Sequence, residues 1–272
     1  MIDSSSSTAV HRAAAEGYTT TADTYVRGRP DYPPEVAGWL RDTLGLGPAR
    51  TVLDLGAGTG KFTRRLVDTG AHVMAAEPVA AMLAKLSAAL PQVDTLAVTA
   101  DALPLPDESV DTVVCAQSFH WFATGAALAE IWHVLKPGGR LGLIWNMRDA
   151  SIGWVAQLDA IVNHREGDAP RYYTGAWRNA FPFDGFGPLH AQRFSTGHTG
   201  SPEDVIVARV RSTSFIAALP ADEQAQVDAQ VRALIAAEPT LNGRGIVTVP
   251  YVTDAYDAVK IPRKRAAEST KS

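Results

Sequence analysis

The chain has 272 residues, 46% of them apolar, and a formal net charge of −4; this supports a substantial packed core and gives no long-range attraction to nucleic acid or an anionic membrane surface. Its single cysteine excludes an intramolecular disulfide and a cysteine-based zinc site within the chain, and no stretch approaches the ~20 apolar residues of a membrane span. A small-molecule partner and a reducing, cytoplasmic compartment are expected, while the oligomeric state is not legible.

Residues 1–16 are rich in Ser and Ala and lack the basic start and apolar core of a signal peptide, so they read as a disordered lead. Residues 17–50 read as a lid or helical segment. Tyr18, Tyr25, Arg27, Arg29 and Tyr32 stand there among prolines, a composition that suits either an aromatic staple or a lid reaching the substrate. Apolar spacing over 36–46, closed by glycines, predicts a helix.

Residues 51–63, Thr-Val-Leu-Asp-Leu-Gly-Ala-Gly-Thr-Gly-Lys-Phe-Thr, predict a strand, a tight glycine turn and a helix start. Glycines are needed where the chain visits positive φ and where a ligand approaches bare backbone. Two phosphate loops are excluded by spelling. The dinucleotide fingerprint needs a third glycine where Lys61 stands, and the P-loop needs glycine at Leu55 and a hydroxyl at Phe62.

Residues 71–77 predict a second strand ending in Glu77, with Pro78 opening a helix over 79–90. Glu77 lies about 20 residues beyond Gly56, the spacing at which nucleotide-binding α/β units place an acid on the ribose hydroxyls. A third strand is expected over 93–99, followed by Asp101 and Ala102. Residues 112–117 form a wholly apolar fourth strand, with Cys115 as an inert core position. At its carboxyl end, where open α/β sheets hold ligands, stand Gln117, Ser118, Phe119, His120, Trp121 and Phe122. His120 reads as a general base or as a positioning group. A helix over 126–135 stops at Lys136-Pro-Gly-Gly139 before a fifth strand, 140–145, that brings Trp145, Asn146 and Arg148 to the same edge.

Beyond residue 151 a helix is expected over 152–162, then a loop-rich aromatic insertion over 163–186 that either packs on the domain or caps the acceptor site. A strand over 190–195, helices over 202–218 and 221–237 and a strand over 245–256 follow, before a solvated, disordered tail, 260–272. The histidines are scattered without metal-ligand spacing.

The ordered set of Asp54-x-Gly56-x-Gly58-x-Gly60, Glu77, Asp101 and the Lys136–Gly139 turn resembles the class I S-adenosylmethionine (SAM)-dependent methyltransferases. The spelling Y-x-x-x-R-P-x-Y-P at Tyr25–Pro33 is similar to the segment ahead of that motif in the type 11, trans-aconitate methyltransferase-like subgroup. The resemblance implies a Rossmann-like α/β fold, a seven-stranded mostly parallel sheet with helices on both faces and a reversed last strand. It makes 51–148 the SAM-binding core and 149–259 the rest of the domain with an acceptor cap. Cofactor contacts are implied for Asp54, Gly56, Ala57, Gly58, Gly60, Glu77, Pro78, Met82, Asp101, Ala102 and Gln117, with adenine at Asp101 and Ala102. Substrate contacts are implied for Tyr18, Tyr25, Arg29, His120, Trp121 and Trp145. The N/D-P-P-Y/F motif of DNA amino-methyltransferases and the glutamate pair of protein arginine methyltransferases are absent, which favours a small acceptor, a carboxylate if Arg27, Arg29 or Arg148 faces the pocket. An NAD(P)-binding oxidoreductase and a non-catalytic SAM-binding protein remain as alternatives.

Overall fold

A computed structural model describes residues 30–166 and 170–263. Seven strands form one sheet in the order β3-β2-β1-β4-β5-β7-β6. They are β1 (Thr51–Leu55), β2 (His72–Ala76), β3 (Asp94–Leu96), β4 (Val110–Ala116), β5 (Leu135–Arg148), β6 (His190–Gly200) and β7 (Val247–Val259). β1 to β5 pair in parallel, while β7 runs antiparallel to both β5 and β6. This is the mostly parallel sheet with a reversed last strand that the sequence implies. β3 is shorter than the expected 93–99, and β6 and β7 each run several residues past their expected ends.

Side-chain alternation sorts β1 between two cores. Leu53 and Leu55 join Phe119, Leu128 and Ile131 on one face, the last two from helix α4 (Gly125–Val134). Val52 joins Leu66 from α2 (Thr63–Val67) and Leu86 from α3 (Ala80–Ala89) on the other. That second face also takes Trp39 and Leu40, which follow α1 (Glu35–Gly38) in a wider continuing turn. Gly142 of β5 is required by this docking, because a Cβ there would stand 2.7 Å from Cδ1 of Leu44.

The Lys136–Gly139 turn ends α4 as expected, but its residues bulge out of the β4–β5 ladder rather than preceding it. Val110 pairs with Leu135 and Thr112 already with Arg140. Asp111 fastens the bulge by accepting from Lys136 Nζ (2.8 Å), Arg50 Nη1 (2.9 Å) and the Thr51 N–H (2.9 Å).

A third core lies over the far ends of β5 and β7. Trp154, Val155 and Leu158 of α5 (Gly153–Asn163), Val210 of α6 (Ala208–Arg211), Ile216 of α7 (Ser214–Ala217) and Val227 and Val231 of α8 (Ala221–Ala237) pack against Val247, Val249 and Tyr251. The second half of the chain thus contributes two strands and a helical layer above the ligand-binding edge of the sheet.

Candidate functional site

β1 turns sharply after Leu55, with φ of +74° at Gly56, +58° at Gly58 and +84° at Gly60, a region that strains any L side chain. Space separates the three. A Cβ at Gly56 would stand 2.6 Å from Cβ of Ser118, and one at Gly60 2.9 Å from Cγ of Leu86, whereas at Gly58 the nearest atom is Sδ of Met82 at 3.9 Å. The outer glycines admit neighbouring protein, and the middle one leaves room for a ligand. The Gly56 and Ala57 N–H groups donate to the Ala76 carbonyl at 2.9 and 3.1 Å, which holds the turn beside Glu77.

Glu77 is 6% exposed. Its Oε2 accepts from the Gly58 N–H and its Oε1 from the Val79 N–H, each at 2.9 Å. Burial raises its pKa, against those two hydrogen bonds. The carboxylate is therefore aimed by backbone, with acceptor capacity left on each oxygen. Asp54 shares a sheet face with Val52 and so meets α2, where Thr63 Oγ1 donates to its Oδ2 at 2.6 Å. Its Oδ1 is buried with no hydrogen-bond partner among the described residues. Burial lifts its pKa to about 7, opposed by the Thr63 hydrogen bond and assisted by the charge of Glu77.

These groups open onto a cavity of about 410 Å³ at the carboxyl ends of the parallel strands. The turn from Asp54 to Gly58, Glu77, Pro78, Met82 and Asp101 form one wall, and Gln117 and Trp121 close it on the β4 side. Gln117 is set by a φ of +58° and donates from Nε2 to the Asn146 carbonyl at 2.7 Å. The cavity also takes Tyr32, from the segment read as a staple or lid, and Asn146, from the edge where β5 is expected to meet the ligand, together with Lys61, Arg209 and Tyr251, which are not among the expected site residues. In the sequence Lys61 marks only the failed third glycine of a dinucleotide fingerprint, and nothing in the local sequence marks Arg209 or Tyr251.

Several expected site residues lie elsewhere. Gly60 is packed against α3. Ala102 does not line the cavity, and its N–H closes a turn on the Thr99 carbonyl at 3.4 Å. Trp145 is 1% exposed and packed against Tyr172 and Trp177, with centroids 4.5 and 4.8 Å away, so it belongs to the core and not to a substrate surface. His120 stands behind the cavity wall. Its Nδ1 accepts from Trp145 Nε1 at 3.0 Å, which leaves the ring proton on Nε2, and burial with the nearby Arg171 charge lowers its pKa to about 3. With its accepting nitrogen occupied and its ring off the cavity, the imidazole is not placed to take an acceptor proton, and of the two readings the structure favours positioning. Its ring lies 5.2 Å from that of Trp121, which does line the cavity.

Arg148 turns away to Asp159, Nε to Oδ1 at 2.5 Å. Tyr18, Tyr25, Arg27 and Arg29 lie outside the described residues. The aromatic insertion does not roof the cavity: Tyr172, Trp177, Phe181 and Phe186 pack into the core shared with Phe119 and Leu128. Tyr172 Oη is anchored to Asp254 at 2.6 Å and to Tyr256 Oη at 2.8 Å. From the helical layer, Arg209 reaches the cavity. Among the described residues no group of three or more His, Cys, Asp or Glu could hold a metal, and no helix is long and apolar enough to cross a membrane.

The site fits SAM on its own geometry. Glu77, just past β2, offers two oriented carboxylate oxygens to a diol, the space at Gly58 admits a ligand against the turn, and the orphaned Asp54 Oδ1 offers a buried acceptor to an ammonium or hydroxyl donor. The family model of the methyltransferase domain matches residues 53–143. A methyltransferase-like protein of Schizosaccharomyces pombe is 37% identical over 90% of this chain and 96% of its own. A methyltransferase of Mycobacterium tuberculosis strain H37Rv is 40% identical over the same shares, 90% and 96%. The fold matches the solved structure of a putative type II methyltransferase from Anaeromyxobacter dehalogenans, with a TM-score of 0.61 at 22% identity over 85% of this chain and 97% of that one. The chain belongs to the class I SAM-dependent methyltransferases, and SAM is its cosubstrate.

Proposed function

We propose that the enzyme transfers the methyl group of SAM to a small-molecule acceptor bearing a carboxylate, within the cavity at the sheet edge. The observation that carries this reading is the composition of that one cavity. Its β1–β2 wall holds the glycine turn and Glu77, while Lys61 and Arg209 place two cations on it in a chain that is acidic overall. A cytoplasmic location belongs to the same reading and is supported by the lone, buried Cys115.

SAM supplies a methyl group on a sulfonium, whose sulfur departs neutral. Glu77, oriented by the Gly58 and Val79 N–H groups, accepts from the two ribose hydroxyls, and Asp101 accepts from the adenine amino group. Trp121, Phe122 and Tyr32 supply apolar wall that excludes water. An ionised carboxylate attacks without losing a proton, which agrees with a neutral His120 that lies off the cavity. Catalysis then rests on orientation, worth up to roughly 7–11 kcal/mol in ideal cases.

The test is calorimetric titration with S-adenosylhomocysteine, with NADH as control, followed by a screen of labelled methyl transfer to carboxylates, phenols and amines. Micromolar binding of S-adenosylhomocysteine alone, lost in Glu77→Ala and Asp101→Ala, with transfer to a carboxylate, is expected. Binding without transfer to any acceptor favours the non-catalytic alternative, and preference for phenols or amines removes the carboxylate.

A further inference from the structure

We infer that Arg209 and Tyr251 form the acceptor subsite of this cavity and bind an anionic oxygen group of the acceptor, of the carboxylate class. The inference rests on the methyltransferase reading of the cavity and goes beyond it by assigning the residues that select the acceptor. Both lie outside the matched domain region, residues 53–143, and they arrive from unrelated elements: Arg209 from α6 and Tyr251 from β7.

Tyr251 is 3% exposed, yet it lines the cavity. Its ring packs edge-on against His198 with centroids 6.3 Å apart, and its hydroxyl is buried with no hydrogen-bond partner among the described residues. A buried phenol in that state lacks a hydrogen bond that it would make in water, and an oxygen of a ligand bound in the cavity that Tyr251 lines would supply one. Val249 and Val247 continue the same strand into the third core, so the hydroxyl is held by rigid packing and not by a loop.

Arg209 lines the cavity, with Nη1 donating to Thr213 Oγ1 at 3.1 Å and to Ser212 Oγ at 3.4 Å. Lys61, which also lines the cavity, donates from Nζ to the Pro30 carbonyl at 2.8 Å. The imidazole of His198, edge-on to Tyr251, is held below its usual pKa by burial and then by the charges of Arg209 and Lys61. Both cations therefore act on the space around Tyr251. Guanidinium and ammonium groups are donors without acceptor capacity, and the phenol adds an O–H, so the subsite favours an oxygen anion over an amine or a bare ring.

The experiment uses the full chain and a pair of bisubstrate probes. Each is an aza-analogue of S-adenosylhomocysteine, with nitrogen replacing sulfur and carrying a third arm of two to four methylenes that ends in a carboxylate or in the isosteric amide. In calorimetric titrations the carboxylate arm is expected to bind the wild type at least tenfold more tightly than the amide. Arg209→Gln and Tyr251→Phe should each reduce that advantage to threefold or less while S-adenosylhomocysteine binds as in the wild type, and Arg209→Lys should restore part of it. Equal binding of the two arms to the wild type, or an undiminished advantage in either variant, overturns the inference. Failure of S-adenosylhomocysteine itself to bind removes the methyltransferase reading beneath it, and the inference with it.

Discussion

The two walls of the cavity are built by different kinds of information. The wall from Asp54 to Asp101 is encoded locally: a strand ends, glycines turn it, and an acid follows at the end of the next strand. The opposite wall, with Arg209 and Tyr251, is assembled by packing. Tyr251 reaches the edge because β7 runs antiparallel to β5 in a register that pairs it with Arg148, and Arg209 because α6 shares a core with α5, α8 and that strand. The cofactor wall therefore tolerates little local change, whereas the acceptor wall can be altered by any substitution that shifts the helical layer.

The glycine turn offers the strongest test of that contrast. Gly56→Ala places a methyl group 2.6 Å from Cβ of Ser118 at a φ of +74°, so it should lower stability by about 3 kcal/mol or prevent folding. Gly58→Ala has the same backbone strain, about 1–2 kcal/mol, but no atom nearer than 3.9 Å. Its methyl group should cost affinity for S-adenosylhomocysteine far more than it costs stability. Denaturant unfolding and calorimetry together separate the two, and equal stability losses would show that conformation alone, and not neighbouring protein, demands these glycines.

Next in size is the loss of the acid at the end of β2. Glu77→Gln keeps the shape but removes the charge that strengthens hydrogen bonds to hydroxyl donors, worth about 1.5–3 kcal/mol. Affinity for S-adenosylhomocysteine should fall by roughly ten- to a hundredfold. Binding unchanged within threefold would place the ribose elsewhere.

The same division explains what could be read from sequence. The glycine turn, Glu77, the α4 stop and the mostly parallel sheet with its reversed last strand depend on short-range chemistry or on topology shared across the family, and each stands where the sequence implies. His120 and Trp145 were misplaced because carboxyl-end position says nothing of which way a side chain points. In the structure the indole N–H seals the imidazole acceptor, and Trp177 and Tyr172 cover the indole. The insertion stays between packing and capping in the sequence because aromatic density is common to lids and cores. Asp254 decides this case: it accepts from Tyr172 at 2.6 Å and from Arg193 Nε and Nη2 at 2.6 and 2.8 Å. Pairing between residues this far apart in sequence leaves no local signature.

The smallest effect sharpens the comparison most, because it sets one titrating group of the cofactor wall against one behind the acceptor wall. Asp54 has a folded pKa of about 7 against about 3.9 when unfolded. Its contribution is full below about pH 4 and is lost as pH rises towards 7. His120 has a folded pKa of about 3 against about 6.5 unfolded, so its contribution is full above about pH 6.5 and is lost as pH falls. Between about pH 4 and 6.5 the two slopes oppose each other, each at most about 1.4 kcal/mol per pH unit. Unfolding free energies at pH 5.5 and 6.5 should therefore separate the variants. Relative to wild type, Asp54→Asn should gain stability over that unit, because the falling slope is removed. His120→Asn, whose Oδ1 replaces Nδ1 as acceptor for Trp145, should lose stability over the same unit. Variants that both track wild type across the interval would mean that neither group is desolvated as the structure places it.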